Sequence, residues 1–166
     1  KDTISILRSD VKMNVNGSSI DDAYGKISFS NTSYQNQNDI YYFDKFDISS
    51  RFEDDVHFVE INSPDIVEGN INGNFVFKDL PNLLLNAAGH MYTNFTPKKV
   101  ANDQYVDFNF RIYNKIIEVF YPQIELGKNT YIRGRVETDA GKFRATFKSP
   151  EIKVYDYFAN NIELQV

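Results

Sequence analysis

The residues of this sequence whose types could do chemistry are two histidines, two pairs of neighbouring aspartates and two groups of tyrosines. A histidine can act as a general base or ligate a metal, but either job needs His, Asp or Glu partners that converge on it. His57 and His90 do not stand at ligand spacing, and no His-Glu-x-x-His occurs. Each is therefore read as a packing or surface residue. Asp54-Asp55 and Asp21-Asp22 are candidate carboxylate pairs of the kind that cleaves glycosidic bonds. That chemistry places two carboxyls across a cleft, which adjacency in sequence does not supply. Both pairs fall where turns are expected, and Asp favours turns through its own hydrogen bonding. There is no Gly-x-Ser-x-Gly elbow, no phosphate-cradling glycine loop and no cysteine, so no catalytic residue, metal or cofactor is expected and the chain is read as a non-enzyme.

The tyrosines could stack on sugars. Tyr41 and Tyr42 would point to opposite faces of a strand, and Tyr155 with Tyr157 make a platform of only two rings. Asn94-Phe95-Thr96 matches a glycosylation sequon, a pattern short enough to arise by chance. The net charge of −5 and the scattering of Lys and Arg, with Lys98-Lys99 the densest cluster, argue against nucleic acid as a partner. Aromatic residues make up 15% of the 166 residues although mean hydropathy is −0.46. Many large rings beside many charges imply elements with one wet and one greasy face. No apolar run approaches the roughly 18 residues of a membrane span. The absence of an initial Met and the alternation of Ile162-Glu163-Leu164-Gln165-Val166 up to the last residue lead us to expect a piece of a longer protein, one segment over 1–166.

The elements that would position these residues are strands, because the dominant period is two. Val11, Met13 and Val15 alternate with Lys12 and Asn14 and stop at Asn16-Gly17, a turn signal. Ile27 and Phe29 form a second set. Ile40, Tyr42, Phe46, Ile48 and Phe52 share one parity, interrupted by Asp44 and Ser50. Val67, Ile71, Phe75 and Phe77 lie opposite Glu68, Asn70, Asn72 and Asn74. Further on, Val106, Phe108, Phe110 and Ile112 make one set, Ile132 and Val136 another, and Phe143, Ala145 and Phe147 a third. Ile116 to Phe120 is apolar on both parities, which predicts a strand covered on both faces. Gly127-Lys128-Asn129 and Asp139-Ala140-Gly141 suit hairpin turns. Leu80, Leu83, Leu84, Ala87, Ala88 and Met91 instead follow helical spacing, which predicts one short helix inserted over about 79–92, with Asp79 as its cap and Gly89 near its end. Ser63-Pro64-Asp65-Ile66 and Ser149-Pro150-Glu151-Ile152 each read as a link between strands, at an edge, bulge or crossing point where proline's missing N–H is tolerated. The predicted fold is all-β, a long antiparallel meander.

On alternation alone the apolar stripe is the core face of a closed β-sandwich or jelly roll. Six segments turn the reading elsewhere. They are 41–50 (Tyr-Tyr-Phe-Asp-Lys-Phe-Asp-Ile-Ser-Ser), 63–69 (Ser-Pro-Asp-Ile-Val-Glu-Gly), 106–110 (Val-Asp-Phe-Asn-Phe), 113–120 (Tyr-Asn-Lys-Ile-Ile-Glu-Val-Phe), 127–134 (Gly-Lys-Asn-Thr-Tyr-Ile-Arg-Gly) and 147–152 (Phe-Lys-Ser-Pro-Glu-Ile). In order and spacing, from about Tyr41 to the end, they resemble the repetitive β-region of the TamB-type translocation and assembly proteins of Bacteroidetes, in the AsmA-like, bridge-like lipid-transfer group. The resemblance implies a meander curled into an open trough (a β-taco) in the periplasmic part of an inner-membrane-anchored protein. It implies phospholipid acyl chains as cargo, an outer-membrane assembly-type barrel as partner of the full-length protein, and no catalytic motif.

Under that reading the clean one-face sets line the groove: Val11, Met13 and Val15; Ile27 and Phe29; Val67, Ile71, Phe75 and Phe77; Val106, Phe108, Phe110 and Ile112; Phe143 and Phe147. Some of these must belong to closed core. The alternative is a closed β-sandwich that binds protein or sugar through its loops, in the manner of an adhesin. A fragment of an outer-membrane barrel would also alternate, but the helical stretch and the polar composition argue against it.

Overall fold

The computed structural model describes residues 5–37, 39–89, 96, 98–138 and 142–165. Five strands come first: β1 (Ile6–Asn16), β2 (Tyr24–Gln35), β3 (Ile40–Glu53), β4 (Val56–Ser63) and β5 (Val67–Asn74). A 3-10 turn (Phe77–Asp79) leads into helix α1 (Leu80–Gly89), followed by β6 (Tyr105–Ile112), helix α2 (Asn114–Phe120) and β7 (Ile124–Leu126). The chain ends in β8 (Thr130–Glu137), β9 (Lys142–Val154) and β10 (Tyr157–Gln165). All ten strands belong to one antiparallel sheet in the order β1-β2-β3-β4-β5-β6-β8-β9-β10, with β7 paired to β9 off that path. The sheet is open and curled, the meander that the alternation predicts.

Directly opposed residues of an antiparallel pair point to the same face. The register therefore shows that one face carries a row of side chains across nine strands: Met13, Ile27, Ile48, Ile61, Gly69, Phe110, Ile132, Phe147 and Leu164. Beside it runs a second row, Val15, Gly25, Ser50, Val59, Ile71, Phe108, Gly134 and Ala145. The glycines are not gaps in this surface. A Cβ on Gly69 would stand 2.7 Å from Phe110 Cδ1, and one on Gly134 would stand 2.6 Å from Phe108 Cζ. Two β6 rings thus lie across the strands on either side, covering the backbone where no side chain stands.

Helix α1 closes the middle of this face. Its Leu83, 2% exposed, packs with Val59, Phe75, Val106, Phe108 and Val136 into the buried core, and Ile48, Ile71, Phe77, Leu80, Phe110, Ile132 and Phe143 pack around them. Gln104 pins the helix entrance. It receives the Val76 amide on Oε1 at 2.7 Å, gives its Nε2 to Asp79 Oδ2 at 3.0 Å and donates its own amide to Thr138 Oγ1 at 3.0 Å. The Asp79 carboxylate accepts the Ala101 amide as well, at 2.9 Å, so it serves the return loop where a helix cap had been expected. On the other face Lys26 and Lys45 both reach the largely buried Asp47 Oδ2, at 2.9 and 2.8 Å.

Several expectations give way. Ile116 to Phe120 is the body of α2, not a doubly covered strand. Strand β5 ends at Asn74, so Phe75 and Phe77 reach the core from the turn that follows it. Gly127 to Asn129 does not close a hairpin, because β7 pairs with the far end of β9 (Ile124 with Val154, Leu126 with Ile152). Ser149-Pro150 links no two strands. It lies inside β9, between the stretch paired with β8 up to Lys148 and the stretch paired with β7 from Ile152. A proline there leaves no donor wanting a partner where the neighbour changes, the crossing point anticipated for it. Ser63-Pro64, by contrast, does link β4 to β5. Met91, His90, the Asp139–Gly141 turn and Asn94-Phe95 of the sequon lie outside the described residues, as do the side chains of Leu84, Ala87 and Ala88.

Candidate functional site

Away from α1, the apolar face meets a second cover. At the β2–β3 end Phe29, Thr32, Tyr34, Phe43, Phe46 and Ile48 form the floor of a cleft of about 300 Å³, with Leu7 at one side and Ile66 at the other. Its roof is α2, whose Ile116, Val119 and Phe120 stand at i, i+3 and i+4, one helical face. The lining exposes no polar surface. Phe29 and Phe46 meet edge to face at 5.8 Å between centroids.

This floor depends on a local change of parity. Asn31 takes a left-handed conformation (φ 51°), which Asn tolerates better than most residues, and the β2–β3 register skips its pairing with Asp44. On one side of the break Phe29, Phe46 and Ile48 face the cleft; on the other, Thr32, Tyr34 and Phe43 do. Ile40 and Tyr42, expected to share a face with Phe46, are turned outward and exposed.

The roof is held by polar contacts. Tyr113, just before α2, donates its hydroxyl to Glu68 at 2.6 Å, and its amide bonds the Ile66 carbonyl at 3.1 Å. Asn114 Oδ1 accepts the Leu126 amide at 2.8 Å, and Asn36 Nδ2 reaches the Val119 carbonyl at 3.4 Å. Lys115 Nζ lies 3.2 Å from Asp65 Oδ1, 3.0 Å from the Tyr42 carbonyl and 5.7 Å from the centroid of the Phe43 ring. Asp65 also accepts the Asp44 amide at 2.9 Å, and chiefly this bond, with the nearby ammonium, holds its carboxyl below the usual carboxylate range.

The residues predicted to line a groove fall into three groups. Val11, Met13 and Val15 are exposed on β1. Ile27, Phe29, Val67, Ile71, Phe77, Phe110, Ile112, Phe143 and Phe147 are half-buried. Phe75, Val106 and Phe108 are sealed beneath α1 and belong to core, because Leu83 and its neighbours fill the space above them. Of the whole set only Phe29 lines the cleft.

The histidine reading also becomes specific. His57 is 2% exposed and stacked between Phe52 (4.1 Å) and Phe75 (5.2 Å), with its Nε2 2.7 Å from Ser50 Oγ. Ser50 donates its single hydroxyl proton to the Ala23 carbonyl at 2.6 Å, so the imidazole Nε2–H donates to Ser50. The ring therefore cannot take a proton from that serine at Nε2, and its Nδ1 has no partner. Burial pushes its pKa below the ordinary value, against a weaker pull from Asp21. Asp22 accepts from the amides and hydroxyls of Ser18 and Ser19 and organises the β1–β2 loop; Asp21 accepts the Phe77 amide at 2.7 Å. Asp54 and Asp55 form the tight β3–β4 turn, with Asp54 at φ 52°. Tyr155 sits in the β9–β10 turn and so shares no strand with Tyr157. Among the described residues, no three His, Cys, Asp or Glu side chains gather as metal ligands would, and no helix is long and apolar enough to cross a membrane.

Compared with known protein families, with curated proteins and with solved structures, the chain matches none.

Proposed function

We propose that this chain binds acyl chains on the apolar face of its open sheet, and works by sheltering them from water with no bond made or broken. The observation that carries this is the cleft under α2, about 300 Å³ with no exposed polar lining, continuous through Ile48 with the nine-strand apolar row. Moving a methylene from water to an apolar site is worth about 0.8 kcal/mol, so ten of them gain about 8 kcal/mol. A lipid tail is thus held between α2 and the β2–β3 floor without any directional contact. On the same reading, resting on the resemblance to TamB-type proteins, the chain is a periplasmic segment of an inner-membrane-anchored protein that passes phospholipid toward an outer-membrane assembly barrel.

The test is equilibrium binding of 11-dansylamino-undecanoic acid, followed by its fluorescence. The wild-type chain is expected to bind it. Phe120→Asp is expected to weaken binding at least tenfold with an unchanged melting temperature, since Phe120 lines the cleft yet is 62% exposed. No binding by the folded wild type, or equal binding by the variant, overturns the reading.

A further inference from the structure

The cleft that would hold a tail has a cation at its rim. Lys115 is carried by α2, next in sequence to the cleft-lining Ile116, and its ammonium stands over Phe43, part of the floor. An ammonium has three N–H donors. Two are spent, on the Tyr42 carbonyl at 3.0 Å and on Asp65 at 3.2 Å, and one remains. The side chain is 38% exposed, so an incoming group can reach it from solvent. Asp65 does not depend on Lys115 for its place, because the Asp44 amide holds it at 2.9 Å from the other side. The lysine can therefore turn toward a ligand without dismantling the loop that carries Asp65.

We infer that the cleft takes an amphiphile with an anionic head, a carboxylate or a phosphate, and that Lys115 anchors that head while the tail lies between α2 and the β2–β3 floor. This rests on the acyl-chain reading above and adds to it a specificity for the head. A neutral amphiphile of the same tail would gain the apolar contact alone. An anionic one adds a charge-assisted hydrogen bond beside a low-dielectric surface, where such bonds are strongest. The Asp65 carboxylate weakens the attraction without cancelling it, since one donor stays free.

The experiment compares three ligands of one chain length, oleate, 1-oleoyl lysophosphatidic acid and oleyl alcohol, by displacement of the dansyl probe. Wild type is expected to bind at least one of the two anionic ligands about tenfold more tightly than the alcohol, the size of one charge-assisted bond. The stronger of the two then identifies the head as carboxylate or phosphate. Lys115→Met is expected to erase the difference between the anions and the alcohol, and Lys115→Arg to keep most of it. Circular dichroism confirms that each variant is folded, and the arginine variant reports on the charge even where methionine disturbs α2. Alcohol binding as tight as both anions in wild type, or a preference that survives in Lys115→Met, overturns the inference while the acyl-chain reading stands. Failure of all three ligands to bind takes down that reading and this inference together.

Discussion

The sheet under α1 and the sheet under α2 are built from the same alternating pattern, yet one is core and the other is a cleft. Beneath α1, Val106, Phe108 and Val136 meet Leu83, and each is at most 9% exposed. At the other end Phe29 and Phe46 have α2 above them but are separated from it by an unfilled space of about 300 Å³, and on neighbouring β1 Met13 is 65% exposed. The difference lies in the covers. Helix α1 spans ten residues and is pinned by the buried Gln104–Asp79 pair. Helix α2 spans seven and lays one edge, Ile116, Val119 and Phe120, over the rim. Whether an apolar strand face is interior or surface is decided by what the connecting segments lay across it.

The largest break in that contrast is Phe108→Asp. It buries an unpaired charge under Leu83, and we expect a loss of about 4 kcal/mol or more, seen in urea unfolding as a chain largely unfolded without denaturant. Next come truncations compared across the two regions. Leu83→Ala is expected to cost about 3 kcal/mol, through lost transfer energy and the cavity left behind. Leu7→Ala, at the side of the cleft and 65% exposed, is expected to change stability by about 0.5 kcal/mol or less. Equal costs would mean that the two regions are equally packed.

The smallest effect is a pH dependence that belongs to the α1 side alone. His57 has a folded-state pKa below its unfolded value of about 6.5. Between those two values the unfolded chain binds the extra proton, so stability is full above about pH 6.5 and falls as pH drops through the window beneath it. The depressed carboxyls of Asp47, Asp65 and Asp79 act in the same direction, but only below their ordinary value of 3.8, so they leave the window near pH 6 clear. Melting temperature is expected to fall from pH 7.5 to pH 5.5 in wild type and to fall less in His57→Gln. A wild-type melting temperature that is flat over that range would contradict the placement of this ring between Phe52 and Phe75.

Much of this architecture was legible because a strand with one covered face must alternate. The sets around Met13, Ile27, Ile71, Phe110 and Phe147 fall on one face as their parity predicts. The cleft was largely hidden. Its floor crosses the break at Asn31 and Asp44, where parity reverses, and a strict count by twos puts Phe43 on the wrong side and Tyr42 on the right one. Its roof was obscured by β-branched residues: Ile116, Ile117 and Val119 favour strands, and seven residues are too few for a helical period to assert itself. The spacing of Ile116, Val119 and Phe120 was the signal available, together with Asn114 just ahead of it. Parity alone also could not tell Phe108 from Met13, since the cover on one comes from a helix far along the chain.

The three-residue strand β7 has a consequence for how the protein breathes. Helix α2 is tied to the rest by the contacts of Tyr113, Lys115 and Asn36 and, at its far end, by Ile124–Leu126, which share β9 with the longer β8. Opening this flap gives up the short β7–β9 pairing and the contacts of Tyr113, Lys115 and Asn36, and exposes Val119, whereas lifting α1 would expose the larger cluster of Leu83 and the rings beneath it. Amide protons of 114–126 should accordingly trade with deuterium well before those of β6 and β8. The storage space would then open by local fraying of its own ceiling, on a timescale set apart from global unfolding.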